Sequence, residues 1–248
     1  MNDFITGLQF LTRIRLVNQS EWSPESFGRS VKYFPLIGAV IGMVLALLNQ
    51  IIDGYLPLLG IYIPQHVAAT VLIIALVIIS GALHCDGFMD TMDGIFSGRS
   101  RERMLEIMKD SRVGANGVVS FSMLILLKWS LLLDISPTVM PVALFVMPVL
   151  ARFAMVIGVT SFPYARPDGI GKAFAEYAGR TTLYIALVLT LLLVVPLGRH
   201  AVIAGGTAIL FAFVFCRYVT QLLGGMTGDV YGAVTELTEA MVLFVFLF

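Results

Sequence analysis

Charged residues are scarce in this sequence, at 13% of 248 residues, whereas a soluble domain has roughly 25%. A separate soluble domain is therefore excluded. The 16 acidic and 16 basic residues cancel, so net charge gives no argument for a nucleic-acid or an acidic partner, and we expect no nucleic acid. The N-terminus also lacks the basic segment and cleavable core of a secretory signal, so membrane insertion must be driven by the mature chain.

Cysteine is nearly absent as well. Cys85 and Cys216 are the two in the sequence, and they stand in unrelated contexts. They offer neither a disulfide framework nor zinc-type spacing, so we expect reduced, buried thiols.

Long apolar runs, in contrast, are abundant. Hydrophobic residues make up 58% of the chain, and the mean hydropathy is +0.91. The runs approach the length of about 17–25 residues that a membrane span needs. They are Phe34 to Ile52, Pro64 to Leu83, Ala115 to Leu133, Val139 to Thr160, Thr181 to Leu197, Ala201 to Leu223 and Val230 to Phe248. We predict one integral membrane domain, residues 1–248: an all-α, polytopic helix bundle of about seven spans in the lipid bilayer.

Shorter segments with mixed faces predict amphipathic helices at the membrane interface. One begins near Phe4 and ends near Leu16, and another carries Met104 and Met108 between basic residues. Within the spans, Gly38 and Gly42 form a Gly-x-x-x-Gly pair that indicates close helix packing.

The distribution of Lys and Arg predicts the orientation, because short cytoplasmic loops are enriched in them. Three regions are basic: the segment before the first span, the loop between spans two and three, and the loop between spans four and five. The alternate loops carry only Arg199. The N-terminus and the loop Gly224 to Asp229 are therefore expected in the cytoplasm and, with seven spans, the C-terminus outside.

Three aspartates follow the second span. At helical pitch Asp86, Asp90 and Asp93 are i, i+4 and i+7, so their carboxylates share one face. Their mutual repulsion would be relieved by a divalent cation, and oxygen ligands favour Mg²⁺ or Mn²⁺. A solvated acidic helix face is the alternative. The apolar neighbours, such as Phe88 and Met92, favour the metal site.

A basic stretch, Gly98 to Gly117, comes next. Its cations fit either the positive-inside signal and anionic lipid, or phosphate groups of a ligand. His84 is interpreted as either a hydrogen-bonding partner in the fold or a contact for a phosphate.

The last span opens with glycines and carries acids. Asp229 can add a carboxylate at the membrane face, and Glu236 lies two turns deeper on nearly the same side, with Glu239 rotated away. Acids inside an apolar span are functional by default, although glycines also permit simple packing. Lys128, Arg152 and Arg217, also within spans, must either reach the interface or meet an acid.

With these motifs in this order, the sequence resembles the cobalamin synthase family, the adenosylcobinamide-GDP ribazoletransferases. The matching segments are Phe4 to Arg15, Tyr33 to Gly38, His84 to Gly94, Arg101 to Gly114 and Thr227 to Glu239. The resemblance implies that a ribose hydroxyl of α-ribazole or its 5′-phosphate attacks the pyrophosphate of adenosylcobinamide-GDP. GMP leaves, and adenosylcobalamin or its 5′-phosphate forms. The resemblance also implies a requirement for Mg²⁺ and a location in the bacterial inner membrane.

Such a displacement needs neutralised phosphoryl oxygens and an activated hydroxyl. We assign roles accordingly. Mg²⁺ coordination is given to Asp86, Asp90 and Asp229; substrate contact to His84, Arg99, Arg103, Lys109, Arg112 and Asn116; catalysis to Asp93, as the base, and Glu236.

Two other functions compete with this one. A CDP-alcohol phosphotransferase also clusters aspartates for Mg²⁺, but its Asp-Gly-x-x-Ala-Arg pattern is not met after Asp86-Gly87. A cation transporter would line a path with the same acids, but such proteins commonly show internal repeats, and none is evident here. The number of spans and metals, phosphorylation of the acceptor, and association into a homo-oligomer are not determined by the sequence.

Overall fold

The computed structural model describes residues 3–18 and 23–248, and the regular elements in this part of the chain are helical. They are α1 (Asp3–Leu11), α2 (Pro24–Ser30), α3 (Phe34–Asn49), α4 (Leu56–Leu58), α5 (Gln65–Ser80), α6 (Leu83–Phe96), α7 (Arg101–Ile107), α8 (Ala115–Asp134), α9 (Met140–Ser161), α10 (Ile170–Tyr177), α11 (Arg180–Val194), α12 (Arg199–Leu223) and α13 (Gly228–Val245). A 3₁₀ turn, Val31–Tyr33, precedes α3, a π-helical turn, Gln50–Tyr55, follows it, and a 3₁₀ turn, Val195–Leu197, follows α11.

The predicted class, an all-α membrane bundle, is confirmed. Five helical stretches of the described chain are long and apolar enough to cross a membrane: Pro24–Leu58, Ala115–Asp134, Met140–Ser161, Arg180–Leu197 and Arg199–Leu223. α5 and α6 meet the same test only as a pair, bent by 91°. α13, the seventh predicted span, carries Asp229, Glu236 and Glu239, and it lies inside the bundle with most of its residues buried. The prediction of about seven spans is roughly consistent with these five or six candidate spans.

Helix α9 is the centre of the bundle, with Arg152 and nearly all its neighbours buried. α3 lies against it through the two glycines that the sequence singled out. A Cβ at Gly38 would lie 2.8 Å from the Val149 Cα, and one at Gly42 would lie 2.8 Å from the Phe145 Cα. Only hydrogen fits at either position, so the close packing predicted for this pair is confirmed.

A sharp corner joins α5 to α6. Gly81 and Ala82 both adopt left-handed backbone conformations, with φ of 65° and 59°. For alanine this conformation costs about 1–2 kcal/mol. The corner is held by Arg13, whose backbone N–H donates to the Ile79 carbonyl at 2.8 Å and whose guanidinium donates to the Gly81 carbonyl at 3.2 Å. The predicted run Pro64 to Leu83 therefore ends at Ser80, and α6 departs in a new direction with its aspartates.

Candidate active site

Helices α6 and α13 approach closely where each carries a glycine. A Cβ at Gly87 would lie 2.8 Å from the Asp229 carbonyl oxygen. One at Gly232 would lie 3.0 Å from the His84 carbonyl oxygen. Because no side chain separates the two backbones, Asp86 on α6 and Asp229 on the first turn of α13 reach the wall of the same cavity.

A backbone bridge brings in a third segment. The Ala165 N–H donates to the Met226 carbonyl at 2.8 Å, and the Met226 N–H donates to the Pro163 carbonyl at 2.7 Å. This pairs the loop after α9 with the loop before α13. As a result Arg166 lies beside Asp229, with its Nη2 2.7 Å from the carboxylate Oδ2.

Thr227 completes the setting of Asp229. Its hydroxyl oxygen accepts the Val230 N–H at 3.3 Å, which caps the start of α13. The same hydroxyl donates to the Asp229 carboxylate at 3.3 Å. Asp229 is thus held by a hydroxyl and a guanidinium. Asp86, in contrast, has an exposed side chain that forms no hydrogen bond or ion pair with the described residues.

The cavity between these segments has a volume of about 300 Å³. Its charged lining residues are Asp86, Lys109, Arg166, Asp168 and Asp229, and its apolar and aromatic lining includes Phe10, Met155, Tyr164, Phe174 and Tyr231. Charges of both signs therefore stand beside an aromatic surface, as recognition of a ligand with phosphate groups and a planar ring would require.

The predicted metal ligands are only partly brought together. Among residues 3–18 and 23–248, no group of three Asp, Glu, His or Cys side chains is placed to hold an ion. Asp90 is half-buried and does not line the cavity, although its charge interacts with those of Asp229 and Asp86. Mg²⁺ commonly takes one or two protein carboxylates and completes its octahedron with water and phosphate oxygens. Asp86 and Asp229 fit a site of that kind, and a cage of three aspartates does not.

Asp93, predicted as the base, has a structural task. Its Oδ2 accepts the Gly114 N–H at 2.7 Å, and its Oδ1 accepts the Gly117 N–H at 2.8 Å. It is buried and caps the N-terminus of α8, where backbone N–H groups otherwise lack partners. Both carboxylate oxygens are therefore occupied, and Asp93 is not among the residues lining the cavity.

Glu236, predicted to act in catalysis, does not line the cavity. Glu236 and Glu239 point into the bundle, where the Lys128 Nζ lies 2.6 Å from Glu236 Oε2 and 2.7 Å from Glu239 Oε2. Arg152 Nη1 forms a short ion pair with the other oxygen of Glu239. All four side chains are at most 5% exposed. In this buried ion cluster two acids balance two bases, which gives Lys128 and Arg152 the acidic partners that the sequence required.

Of the predicted substrate contacts, His84 and Lys109 line the cavity. Lys109 Nζ also lies 3.3 Å from Asp168 Oδ1. Arg103 instead pairs with Glu106 on the exposed face of α7. The remaining three, Arg99, Arg112 and Asn116, are exposed and do not line the cavity.

Arg112 is engaged by a neighbouring acid. Its side chain and its backbone N–H both hydrogen-bond Asp110, and these bonds lower the pKa of Asp110 to about 2. The pair is exposed, so it gives the cavity no free charge.

The sequence did not single out Arg166, Tyr164 or Tyr231 as site residues. Arg166 was visible only as one of several cations in a basic loop. The segment around it, Pro-Tyr-Ala-Arg-Pro, follows a span, but it indicates a site residue only once the bridge between Tyr164 and Met226 is known. Tyr231, two residues beyond Asp229, could have been found from its position on α13.

The fold and the cavity define a multi-pass helical membrane protein with a small binding site of mixed charge. The family model described as Cobalamin-5-phosphate synthase matches residues 3–247, and the chain belongs to that family of transferases of cobalamin biosynthesis.

Curated relatives agree over nearly the whole length. The adenosylcobinamide-GDP ribazoletransferase of Desulfitobacterium hafniense (strain Y51) is 43% identical over 245 residues, which cover 96% of this chain and 93% of that protein. The protein of the same name from Fusobacterium nucleatum is 35% identical, with 100% and 97% covered. That from Pseudomonas paraeruginosa is 38% identical, with 98% and 96% covered. No solved structure matches the chain.

Proposed function

We propose that this protein is a Mg²⁺-dependent transferase that joins adenosylcobinamide-GDP to α-ribazole or its 5′-phosphate and releases GMP. The observation that carries the proposal is the convergence of Asp86, Asp229, Arg166 and Lys109 on one cavity. Two carboxylates and two cations are what a pyrophosphate bound with a divalent ion requires. The names of the relatives supply the identity of the substrates.

The reaction forms a bond from a ribose hydroxyl oxygen of the acceptor to the phosphorus that carries cobinamide. The bond from that phosphorus to the bridging oxygen breaks, GMP leaves with the bridging oxygen, and the proton of the attacking hydroxyl is released to solvent. Asp86 and Asp229 would hold Mg²⁺, which when bound neutralises charge on the phosphoryl oxygens. Arg166 and Lys109 stabilise the negative charge that develops on the same oxygens. Asp93 is a poor base, because both its oxygens accept backbone N–H groups.

We also propose a location in the bacterial inner membrane, with the N-terminus and the cavity facing the cytoplasm. The support is the positive-inside bias, since Arg13, Lys109 and Arg166 come from the three basic regions. The corner contact of Arg13 and the cavity lining place all three close to the start of α6.

The test is an assay of membranes with adenosylcobinamide-GDP, α-ribazole 5′-phosphate and Mg²⁺, scored for GMP and for the corrinoid product. Asp86→Asn and Asp229→Asn should lower turnover by about 100- to 1,000-fold, the usual cost of losing a group that stabilises transition-state charge. Chelation of Mg²⁺ should abolish it. Asp90→Asn decides whether the third aspartate belongs to the site.

The matched control is Asp134→Asn. Asp134 is an exposed aspartate at the far end of α8, about 30 Å from the helix start that Asp93 caps. The Asp134→Asn variant should release GMP at the wild-type rate. No GMP above background from well-inserted wild-type protein would contradict the proposal. Release of CMP from a CDP-alcohol donor, or nucleotide-independent metal flux into proteoliposomes, would favour the two competing functions.

A further inference from the structure

Two uncharged side chains of the cavity lining each carry a buried polar atom that has no hydrogen-bond partner among the described residues. His84 and Tyr231 line the cavity and are 2% and 1% exposed. Within the described part of the chain, neither His84 Nε2 nor the Tyr231 hydroxyl makes a hydrogen bond. Burial of a polar group without a hydrogen-bond partner is unfavourable. Both groups are therefore suited to meet a ligand that enters the cavity.

The size of the cavity restricts which ligand that is. Its volume, about 300 Å³, is at the lower end of the roughly 300–1,000 Å³ of small-molecule sites. The corrin macrocycle of the donor, with its amide side chains, is too large for such a space. A nucleoside-sized group is the largest that fits, which leaves the acceptor or the guanosine part of the donor.

The polarity of the lining distinguishes these two. Guanine presents several donors and acceptors around its edge, and each needs a partner once it is buried. The fused aromatic base of α-ribazole carries methyl groups and a single free ring nitrogen, which accepts one hydrogen bond. Away from the charged residues, the cavity offers Phe10, Phe174 and Met155 with the two unpartnered polar atoms. Such a surface satisfies the single acceptor of that base. Guanine would need the charged groups of Lys109 and Asp168, which already pair with each other at 3.3 Å.

We propose that this cavity is the acceptor subsite, in which the base of α-ribazole lies against the aromatic lining and its free nitrogen accepts a hydrogen bond from Tyr231 or His84. The inference rests on the proposed function and deepens it. The ribose then extends toward Asp86 and Asp229, and the adenosylcobinamide-GDP approaches from outside with only its pyrophosphate reaching these carboxylates.

The experiment is a steady-state comparison of wild type with Tyr231→Phe, which keeps the ring and removes the hydroxyl. KM is measured for α-ribazole at saturating donor, and for the donor at saturating α-ribazole. Loss of one hydrogen bond should raise the acceptor KM by about 3- to 10-fold, while the donor KM and kcat stay at the wild-type values. Tyr218→Phe is the matched control, because Tyr218 is an exposed tyrosine of α12 outside the cavity.

Other outcomes decide against the subsite. A rise in the donor KM alone would assign the cavity to guanosine, and unchanged constants in both Tyr231→Phe and His84→Leu would remove both groups from recognition. If Tyr231→Phe does not insert, His84→Leu replaces it with the same expected split. In each of these cases wild-type protein still releases GMP. Failure of the proposed function differs, because then the wild type releases none.

Discussion

Two groups of carboxylates in this protein lie close together on α6 and α13, yet their surroundings differ completely. Asp86 and Asp229 line an open cavity. Glu236 and Glu239, two to three turns farther along α13, are enclosed with Lys128 and Arg152. From the sequence, Asp86, Asp229 and Glu236 are all assigned to one site, and only Glu239 is left without a role. The difference teaches that an acid enclosed with buried cations in a membrane protein has a structural role. An acid can contribute to a binding site only when one of its carboxylate oxygens stays accessible.

The largest effect is expected in the buried ion cluster. Glu239→Gln leaves Lys128 and Arg152 with too little negative charge, and breaking one partner of a buried pair costs about 3–5 kcal/mol. Thermal unfolding in detergent should show this loss. Glu106→Gln, which breaks the exposed pair with Arg103, should cost less than about 1 kcal/mol. Equal stability of the two variants would show that the cluster is not a structural core.

In the cavity, the next effect concerns Arg166. Arg166→Ala removes a charge-assisted contact of about 1.5–3 kcal/mol, so GMP release should fall by about 10- to 100-fold. The unfolding temperature should fall less than in Glu239→Gln, because the pair of Arg166 with Asp229 is more exposed than the buried ion cluster. Arg166→Lys should recover part of the activity, because it restores the charge without the planar fork. An Arg166→Ala variant that lost stability and kept its rate would place Arg166 with the structural group.

Asp93 belongs neither to the cavity lining nor to the buried ion cluster, and its role can be tested directly. Asp93→Asn should cost about 1–2 kcal/mol of stability, as expected when a helix loses an N-terminal acceptor. Turnover by the folded fraction should fall only a few-fold. Chemical denaturation and a rate normalised to folded protein give the two quantities. Loss of turnover as complete as in Asp86→Asn would restore Asp93 as the base.

The smallest effects are expected outside the cavity. Arg103→Gln and Arg112→Gln alter exposed cations whose charges are paired with Glu106 and Asp110. GMP release should stay within about three-fold of wild type, since exposed pairs contribute little. Lys109→Gln is the internal comparison, because Lys109 lines the cavity. If all three variants lost activity equally, the basic stretch would act as one phosphate-binding surface.

The sequence predicted the helical membrane class because apolar runs of span length have few other structural solutions. It also proposed Asp86, Asp229, His84 and Lys109 as members of one site, and the structure brings these four residues to one cavity. It could not show that Glu236 is paired inside the bundle, because its partner Lys128 is 108 residues away in the chain. Arg166 was missed for the same reason: its place depends on the bridge between two loops that only the fold brings together.

The corner at Gly81 and Ala82 can be described as a pivot. Helix α6 has 14 residues and so extends about 21 Å, and each degree of rotation at the corner would move its far end by about 0.4 Å. Asp86 lies almost at the pivot and would move little, while Asp93 lies near the far end, where its bonds to Gly114 and Gly117 anchor it. Helix α6 is thus held by contacts at both of its ends. This arrangement restricts the movement of Asp86, the cavity carboxylate that α6 carries, relative to the rest of the cavity.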